Sequence, residues 1–327
     1  MSESGSTREL LTAVPNWELD QVVTQLRAVR EQWRDGQQRN KESGGRELPS
    51  REALESITTS LCAALFPMRL GPADLRQESE DFYVGYTLDA AFNALLAQVR
   101  LELRYAARHA SASAIEIELA AISIVRGFAA TLPDVRALLD TDVQAAFNGD
   151  PAARSVDEVL LCYPGIVAII HHRLAHQLYR LGVPLLARIV AEIAHSATGI
   201  DIHPGAQIGA GFFIDHGTGV VIGETAVIGE RVRIYQAVTL GAKRFEKGED
   251  GKLQKGQPRH PQVEDDVVIY AGATILGRIT IGKGSSIGGN VWLTHSVPPG
   301  SQVTQASLQS QPRPASEAVA SSKGGVQ

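Results

Sequence analysis

The feature that most constrains the fold of this chain is a strict six-residue period between residues 200 and 298. One aliphatic residue recurs at every sixth position in three phased blocks, with a two-residue offset after the first block and a long interruption after the second. These positions are Ile202, Ile208 and Ile214, then Ile222, Ile228, Ile234 and Leu240, then Val263, Ile269, Ile275, Ile281, Ile287 and Leu293. Helices have a period of 3.6 and strands of 2.0, so neither produces this spacing. A parallel β-helix does, because three hexapeptide faces make one coil of about 18 residues.

Glycine and the interruption support the same interpretation. Of the 31 Gly, 19 lie in residues 199–300, where they suit tight corners because glycine tolerates positive φ. The polar, Lys- and Gly-rich segment 242–262 lacks the period and predicts an exposed loop, and loops of this length are usually functional. The low-complexity residues 299–327 predict a disordered tail.

The first 199 residues predict a different class of structure. Residues 1–14 are small and polar and predict a frayed tail, whereas residues 15–199 predict an all-α domain. Apolar spacing and Pro positions predict helices over 15–42, 51–66, 112–130, 133–147, 166–182 and 184–199, with one or two more in 73–110. A helix start is also predicted at Asp150–Pro151. The chain is therefore expected to be α+β, with an all-α domain over 15–199 followed by a β-helix of hexapeptide repeats over 200–298.

Charge and composition exclude several classes of protein. The net charge of −5 argues against a nucleic-acid partner. Two Cys argue against a disulfide framework and a multi-cysteine zinc site. No apolar run of about 20 residues predicts a membrane span. The N-terminal residues lack the features of a secretory signal, so a cytoplasmic location is expected.

Three short motifs lie in and beside the repeat: DIHP at 201–204, DHGTG at 215–219 and RHP at 259–261. Together with the preceding helical domain, they resemble the serine O-acetyltransferases of the hexapeptide-repeat acyltransferase superfamily. The resemblance implies a left-handed β-helix that transfers acetyl from acetyl-CoA to L-serine, giving O-acetyl-L-serine and CoA in cysteine biosynthesis. It also implies a homotrimer or a dimer of trimers, with no metal.

Acetylation of a hydroxyl needs a base for its proton and a donor for the oxyanion at the thioester carbonyl. Histidine is the natural base because its ordinary pKa is near 6.5. The resemblance assigns the base to His216, the carboxylate that orients its imidazole to Asp201, and a second catalytic histidine to His260. It assigns the oxyanion donor to a backbone N–H near Gly241.

The resemblance also assigns the two substrate sites. Asp157 and Asp215 are expected to hold the serine ammonium group, and Arg259 to pair with its carboxylate. Acetyl-CoA is expected along small residues, namely Gly241, Ala242, Ala271, Gly272, Gly277 and Gly289. Its phosphates could meet cations of the loop, namely Lys243, Arg244, Lys247, Lys252 and Lys255.

Two other functions remain open at this stage. One is an acetyltransferase of the same superfamily that acts on homoserine or a sugar. The other is a zinc protein that resembles γ-class carbonic anhydrases, although the spacing of His203, His216 and His260 does not match its three ligands. Many relatives insert a C-terminal Ile into O-acetylserine sulfhydrylase, but this chain ends on Gln327, so that complex is not expected.

Overall fold

The computed structural model describes residues 17–36, 48–107, 112–244, 251, 253–254 and 256–309. The predicted N-terminal tail, residues 310–327 with Gln327, and the loop residues Lys247, Lys252 and Lys255 lie outside this range. The chain divides into two compact units, Met1–Glu47 and Leu48–Gln327. In the first unit, helix α1 spans Leu19–Gly36 and has no buried residue.

The second unit begins with helices and short connections. They are α2 (Arg51–Leu65), α3 (Pro67–Leu70), a single 3₁₀ turn (Gln77–Ser79), α4 (Glu80–Ala106), α5 (Ala114–Gly149), α6 (Val156–Cys162), α7 (Pro164–Arg180) and α8 (Pro184–Thr198). A capping box between Ser113 and Glu116 begins α5, since each side chain accepts a hydrogen bond from the other residue's backbone N–H. No single helix in the described part of the chain is long and apolar enough to cross a membrane. Only α6 and α7 taken together, which are bent relative to each other, have a sufficient length and apolar composition.

Helix α5 corrects one prediction. The sequence predicts separate helices before and after Pro133, yet α5 continues through it. A proline inside a helix costs about 3 kcal/mol. Phe128, Leu132, Val135 and Leu139 are buried along one face on both sides of the proline, and this continuous packing offsets that cost.

The C-terminal part of this unit is a β-helix of about five turns. Its parallel strands are β1 (Asp201–Ile202), β2 (Gln207–Ile208), β3 (Phe213–Asp215), β4 (Val221–Ile222), β5 (Val227–Ile228), β6 (Arg233–Tyr235), β7 (Thr239–Gly241), β8 (Gln262–Val263), β9 (Val268–Ile269), β10 (Thr274–Leu276), β11 (Thr280–Ile281), β12 (Ser286–Ile287), β13 (Trp292–Leu293) and β14 (Gln302–Val303). They form three faces: face A is β1-β4-β7-β10-β13, face B is β2-β5-β8-β11, and face C is β3-β6-β9-β12-β14. All thirteen periodic aliphatic side chains are buried, which confirms the predicted inward stack.

The β-helix continues past residue 298, where the sequence predicts the disordered tail to begin. Strand β14 pairs in parallel with β12, and a short helix, α9, follows at Gln305–Gln309. Val303 is buried in register with Ile287. The reason is that an open end of the stack would expose Ile287, and one further aliphatic residue covers it.

A buried ion pair joins the helices to the first coil. The Arg173 guanidinium of α7 donates two hydrogen bonds to the Asp142 carboxylate of α5, at 3.1 and 3.0 Å. Arg173 also donates to the carbonyl of Gly209, and Asp142 accepts from the backbone N–H of Phe212. Removing one partner of such a pair costs about 3–5 kcal/mol. The change of period near residue 199 therefore marks a change of secondary structure within one compact unit.

Candidate active site

His216 lies at the edge where face C turns into face A, directly after β3. Its backbone adopts a left-handed conformation with φ of 60°, which is uncommon for a residue other than glycine. The side chain is 73% exposed, and its Nε2 lies 3.8 Å from Oδ1 of Asp215. The turn therefore presents an imidazole to solvent beside a carboxylate.

Asp215 is held in place from the neighbouring coil. It is only 8% exposed, and Arg233 of β6 donates to its Oδ2 at 2.5 Å. The Arg233 guanidinium lies over the rings of Phe213 and Tyr235, 4.9 and 4.7 Å from their centroids. Because parallel pairing aligns Phe213 with Arg233 and Asp215 with Tyr235, the register itself fixes this arrangement.

Asp150 is a second acidic residue at this edge, and the sequence interpretation missed it. Tyr163 donates to its Oδ2 at 2.5 Å, and the Ala152 N–H donates to its Oδ1 at 2.8 Å. These hydrogen bonds, Tyr163 first, hold the pKa of Asp150 below its usual range, and the charges of Arg233 and His216 act in the same direction. Asp150 is therefore an ionised carboxylate whose charge interacts with that of His216.

The position of Asp150 results from a close approach of α5 to β3. A Cβ on Gly149 would lie 2.9 Å from Cδ1 of Phe213, and the carbonyl of Gly149 accepts from Arg233 at 2.8 Å. Asp150 caps the C-terminus of α5, so the predicted helix start at Asp150–Pro151 is wrong. The next helix, α6, begins later, at Val156 after the cap Ser155.

Asp157 does not join this cluster. It lies in the first turn of α6, and Arg69 of α3 donates to its Oδ1 at 2.5 Å. Both side chains of the pair are about half exposed. No described contact links Asp157 to His216 or Asp215, because the first turn of α6 faces α3 and not the β-helix edge. The sequence marks Asp150 only through the Asp150–Pro151 pair, which predicts a helix start and carries no signal for a substrate ligand.

His260 lies at a different edge, between face A and face B, just before β8. It is 7% exposed, and burial lowers its pKa to about 4, with the charge of Arg259 acting in the same direction. The Thr225 N–H donates to Nδ1 at 3.0 Å. Because a neutral imidazole has one acceptor and one donor nitrogen, Nε2 of His260 carries the proton and is a donor.

Arg259, Arg278 and the start of the loop form a cationic surface beside His260. Arg259 donates to Glu224 at 2.6 Å, and Glu224 also accepts from Tyr179 at 3.0 Å. Arg278 donates to the carbonyl of Thr225 at 2.7 Å. A cavity of about 340 Å³ lies here, lined by Lys243, Arg244, Gln254, Gln257, Pro258, Arg259, Leu276, Gly277, Arg278 and Ile279. Four of its lining residues are cations, so the cavity suits an anionic ligand.

The two histidines therefore belong to two separate edges of one chain. His216 lies where face C meets face A, and His260 where face A meets face B, with face A between them. We name these clusters the His216 edge (Asp150, Asp215, His216, Arg233) and the His260 edge (Glu224, Arg259, His260, Arg278).

The six small residues divide between the same two edges. Gly241 and Gly277 lie at the His260 edge, where the Gly277 N–H donates to the carbonyl of Gly241 at 2.9 Å. Ala242 follows Gly241 at this edge, and its N–H donates no hydrogen bond to the described part of the chain. The other three follow β9 and β12, at the edge that carries His216: the carbonyl of Ala271 accepts from Asn290, and Gly272 and Gly289 lie next to it.

Asp201 is not paired with His216 among the described residues. It is the first residue of β1, in register with Val221, and its carboxylate lies with Glu192 and His195 of α8, their donor atoms within 4.8 Å of one another. Arg188 also holds Glu192, at 2.6 Å. No comparable metal-ligand group in the described part of the chain combines His203, His216 and His260.

Comparison with known proteins gives one consistent family. A model described as bacterial transferase hexapeptide (six repeats) matches residues 260–295. A serine acetyltransferase of Synechococcus elongatus, described as plasmid, is 59% identical over 268 residues, which are 80% of this chain and 83% of that protein. The serine acetyltransferase of Mycobacterium tuberculosis is 51% identical over 177 residues, 53% of this chain and 73% of the relative.

Solved structures agree with this comparison. Entamoeba histolytica serine acetyltransferase 1 in complex with L-cysteine has a TM-score of 0.66 and 39% identity, covering 76% of this chain and 86% of that one. Neisseria gonorrhoeae serine acetyltransferase in complex with serine has a TM-score of 0.50 and 28% identity, covering 77% and 94%.

Proposed function

Because this chain belongs to the serine acetyltransferase family, we propose that its catalysis takes place where the His216 edge of one copy meets the His260 edge of another. The enzyme transfers acetyl from acetyl-CoA to the hydroxyl of L-serine, giving O-acetyl-L-serine and CoA in cysteine biosynthesis. One observation carries the assignment of the site: an exposed imidazole with two carboxylates beside it, as the proton acceptor and ammonium ligands of an amino alcohol require.

His216 is the general base. Its Nε2 faces solvent beside Asp215, so a serine hydroxyl can reach it. The base takes the hydroxyl proton as the serine oxygen bonds to the thioester carbon; the C–S bond then breaks and CoA leaves as a thiolate, which takes up a proton. General-base catalysis of this kind contributes about 10²–10⁴-fold to the rate.

Asp201 remains our proposal for the carboxylate that orients His216. Its side chain makes no hydrogen bond or ion pair within the described part of the chain, so no such contact there occupies the carboxylate. Asp215 is the nearer carboxylate in this conformation.

The serine ammonium group is held by Asp150 and Asp215, with Asp150 taking the role that the sequence predicts for Asp157. Asp215 lies 3.8 Å from His216 and the charge of Asp150 interacts with His216, whereas Asp157 is bound to Arg69. Arg259 binds the serine carboxylate with the donors that Glu224 leaves open, since a guanidinium has five.

The site is completed by a second copy. His260 and Arg259 are separated from His216 by the width of face A, so one chain cannot bring them to one substrate. If the two edges of one copy meet two different neighbours, the contact is heterologous, and it closes into a ring when the rotation between copies allows it. We propose a homotrimer as the smallest such assembly, with a dimer of trimers as the alternative.

In this assembly, His260 is a hydrogen-bond donor through Nε2 and not a base, because its acceptor atom Nδ1 already accepts from the Thr225 N–H and its lowered pKa of about 4 makes it a weak proton acceptor. Acetyl-CoA lies between the copies, along the small residues of both edges. Its phosphates meet the cations of the cavity beside His260, among them Lys243 and Arg244. The N–H of Ala242, which donates to nothing within the described residues, is our candidate oxyanion donor.

Release of free CoA from acetyl-CoA tests this function directly. We expect release that depends on L-serine, and much weaker release with L-homoserine or a sugar as acceptor. Equal rates with homoserine would support the alternative acceptor and contradict the serine assignment. A cytoplasmic location remains a prediction from the sequence.

A further inference from the structure

The turn between β4 and β5, residues 223–225, lies directly against the ring of His260. A Cβ on Gly223 would lie 2.0 Å from Cδ2 of this ring and 2.1 Å from its Nε2, so only glycine leaves room for the imidazole here. The other two residues of the turn, Glu224 and Thr225, bind the side chains of Arg259 and His260. One turn therefore holds both residues that the His260 edge contributes to the proposed reaction.

Thr225 uses the full hydrogen-bonding capacity of its hydroxyl on these two residues. Its Oγ1 accepts from the backbone N–H of Arg259 at 2.9 Å and from the backbone N–H of His260 at 3.1 Å. Because a hydroxyl has one donor and two acceptor positions, its proton is left for Nδ1 of His260, which lies 2.9 Å from Oγ1. The hydroxyl therefore fixes the backbone of both residues and the orientation of one ring.

Backbone groups strengthen the same connection. The Thr225 N–H donates to Nδ1 of His260 at 3.0 Å, so Nδ1 is the acceptor of the ring and Nε2 carries the proton. Arg278 donates from one guanidinium nitrogen to the carbonyls of Thr225 and His260, at 2.7 and 3.1 Å. The guanidinium of Arg259 donates to Glu224, so Arg259 is held both at its backbone and at the end of its side chain.

We propose that Thr225 is a positioning residue for the acetyl transfer, and that its hydroxyl sets where Arg259 and His260 meet the substrates. This role rests on the proposed function, in which Arg259 binds the serine carboxylate and His260 donates through Nε2. Both residues lie at the end of the segment that interrupts the six-residue period, so the periodic aliphatic stack does not include them. A misplacement of about 1 Å can cost about 100-fold in rate.

Three variants of the full-length chain test this role. Thr225→Val keeps the shape of the side chain and removes the hydroxyl with its three hydrogen bonds, whereas Thr225→Ser keeps the hydroxyl. Thr141→Val is the matched control, because Oγ1 of Thr141 also bridges two segments: it accepts from the Gly211 N–H at 2.9 Å and donates to the carbonyl of Leu138 at 2.6 Å. Gly211 lies between β2 and β3, at the edge that carries neither histidine.

The first measurement is the kinetics of CoA release. In Thr225→Val, we expect kcat/KM for L-serine to fall about 10- to 100-fold, and Thr225→Ser to recover most of this loss. Thr141→Val should keep the kcat/KM of the unsubstituted chain even where its melting temperature falls as far as that of Thr225→Val. An unchanged kcat/KM in Thr225→Val, or an equal loss in Thr225→Ser or Thr141→Val, would overturn the positioning role.

The second measurement does not depend on the reaction. In the chain labelled with ¹⁵N-histidine, the ring signals of His260 are those that disappear in His260→Gln. We expect the unsubstituted chain to show the tautomer with the proton on Nε2, and the Nδ1 resonance to shift in Thr225→Val and return in Thr225→Ser. An unshifted Nδ1 resonance in Thr225→Val would overturn the role of the hydroxyl.

The two measurements separate the failure of this role from the failure of the proposed function. A chain without serine-dependent CoA release that still shows the Nδ1 shift in Thr225→Val would refute only the proposed function. Serine-dependent release with the same kcat/KM and the same Nδ1 resonance in Thr225→Val would refute only the positioning role of Thr225.

Discussion

The Asp150→Asn substitution tests whether the serine ammonium group is held by Asp150, as we propose from the structure, or by Asp157, as the sequence predicts. Asparagine keeps the shape of the side chain and removes its charge. We expect the KM for L-serine to rise strongly while the KM for acetyl-CoA stays unchanged, because Asp150 lies beside His216 and away from the cationic cavity. Asp157→Asn is the matched control.

The size of the expected rise in KM follows from the free energy of one hydrogen bond to a charged group. A hydrogen bond to a charged group contributes about 1.5–3 kcal/mol, so losing the one from the serine ammonium should raise the KM for serine about 10- to 150-fold. Asp157 forms an exposed ion pair with Arg69, and such pairs contribute about 0–1 kcal/mol to stability. Asp157→Asn should therefore leave both KM values unchanged.

The assay measures CoA release, first at saturating acetyl-CoA with the serine concentration varied, and then at saturating serine with the acetyl-CoA concentration varied. Tyr163→Phe removes the hydrogen bond to Asp150 but keeps its charge, so it separates the loss of charge from a local rearrangement; its KM for serine should rise less than that of Asp150→Asn. Circular dichroism checks the fold of each variant. A raised KM for serine in Asp157→Asn, with none in Asp150→Asn, would refute the reasoning.

Four further results are expected. His216→Ala should lower kcat about 10²–10⁴-fold with an unchanged melting temperature, since the side chain is exposed; full activity would show that another group is the base. The folded-state pKa of His260, lowered to about 4 by burial, lies below its unfolded value near 6.5. Between these two pKa values the unfolded chain therefore binds more protons than the folded chain. The free energy of unfolding, measured by chemical denaturation, should fall as the pH drops from about 6.5 to 4. In His260→Gln, the free energy of unfolding should fall less over the same pH range. Gly277→Ala should raise the KM for acetyl-CoA, because the added Cβ would lie 3.2 Å from Lys243 at a φ of 94°. Gly284→Ala is the matched control, since its φ is 66° and nothing lies within 4 Å of the added Cβ. This control should only lower the melting temperature, through backbone strain. Ile234→Ala, which empties a fully buried position of the stack, should cost about 2–5 kcal/mol of unfolding free energy, measured by denaturant titration.

The sequence by itself determined the β-helix. Burial repeats at every sixth residue within each of the three blocks between Ile202 and Leu293, and a period is a local property that can be read along one chain. The motifs around His216 and His260 also identified the family, because each motif is continuous in sequence. The helical class of the N-terminal half followed from apolar spacing in the same way.

Tertiary structure decided which of these residues meet. Asp150 lies 66 residues before His216 and reaches it only because α5 packs against β3, with Gly149 against the Phe213 ring. Asp157, seven residues further on, faces α3. Continuous packing on both sides of Pro133 likewise kept α5 intact. The separation of His216 from His260 depends on the edge of the β-helix that each turn occupies. Such proximities depend on how distant segments pack, and spacing along the chain does not encode them.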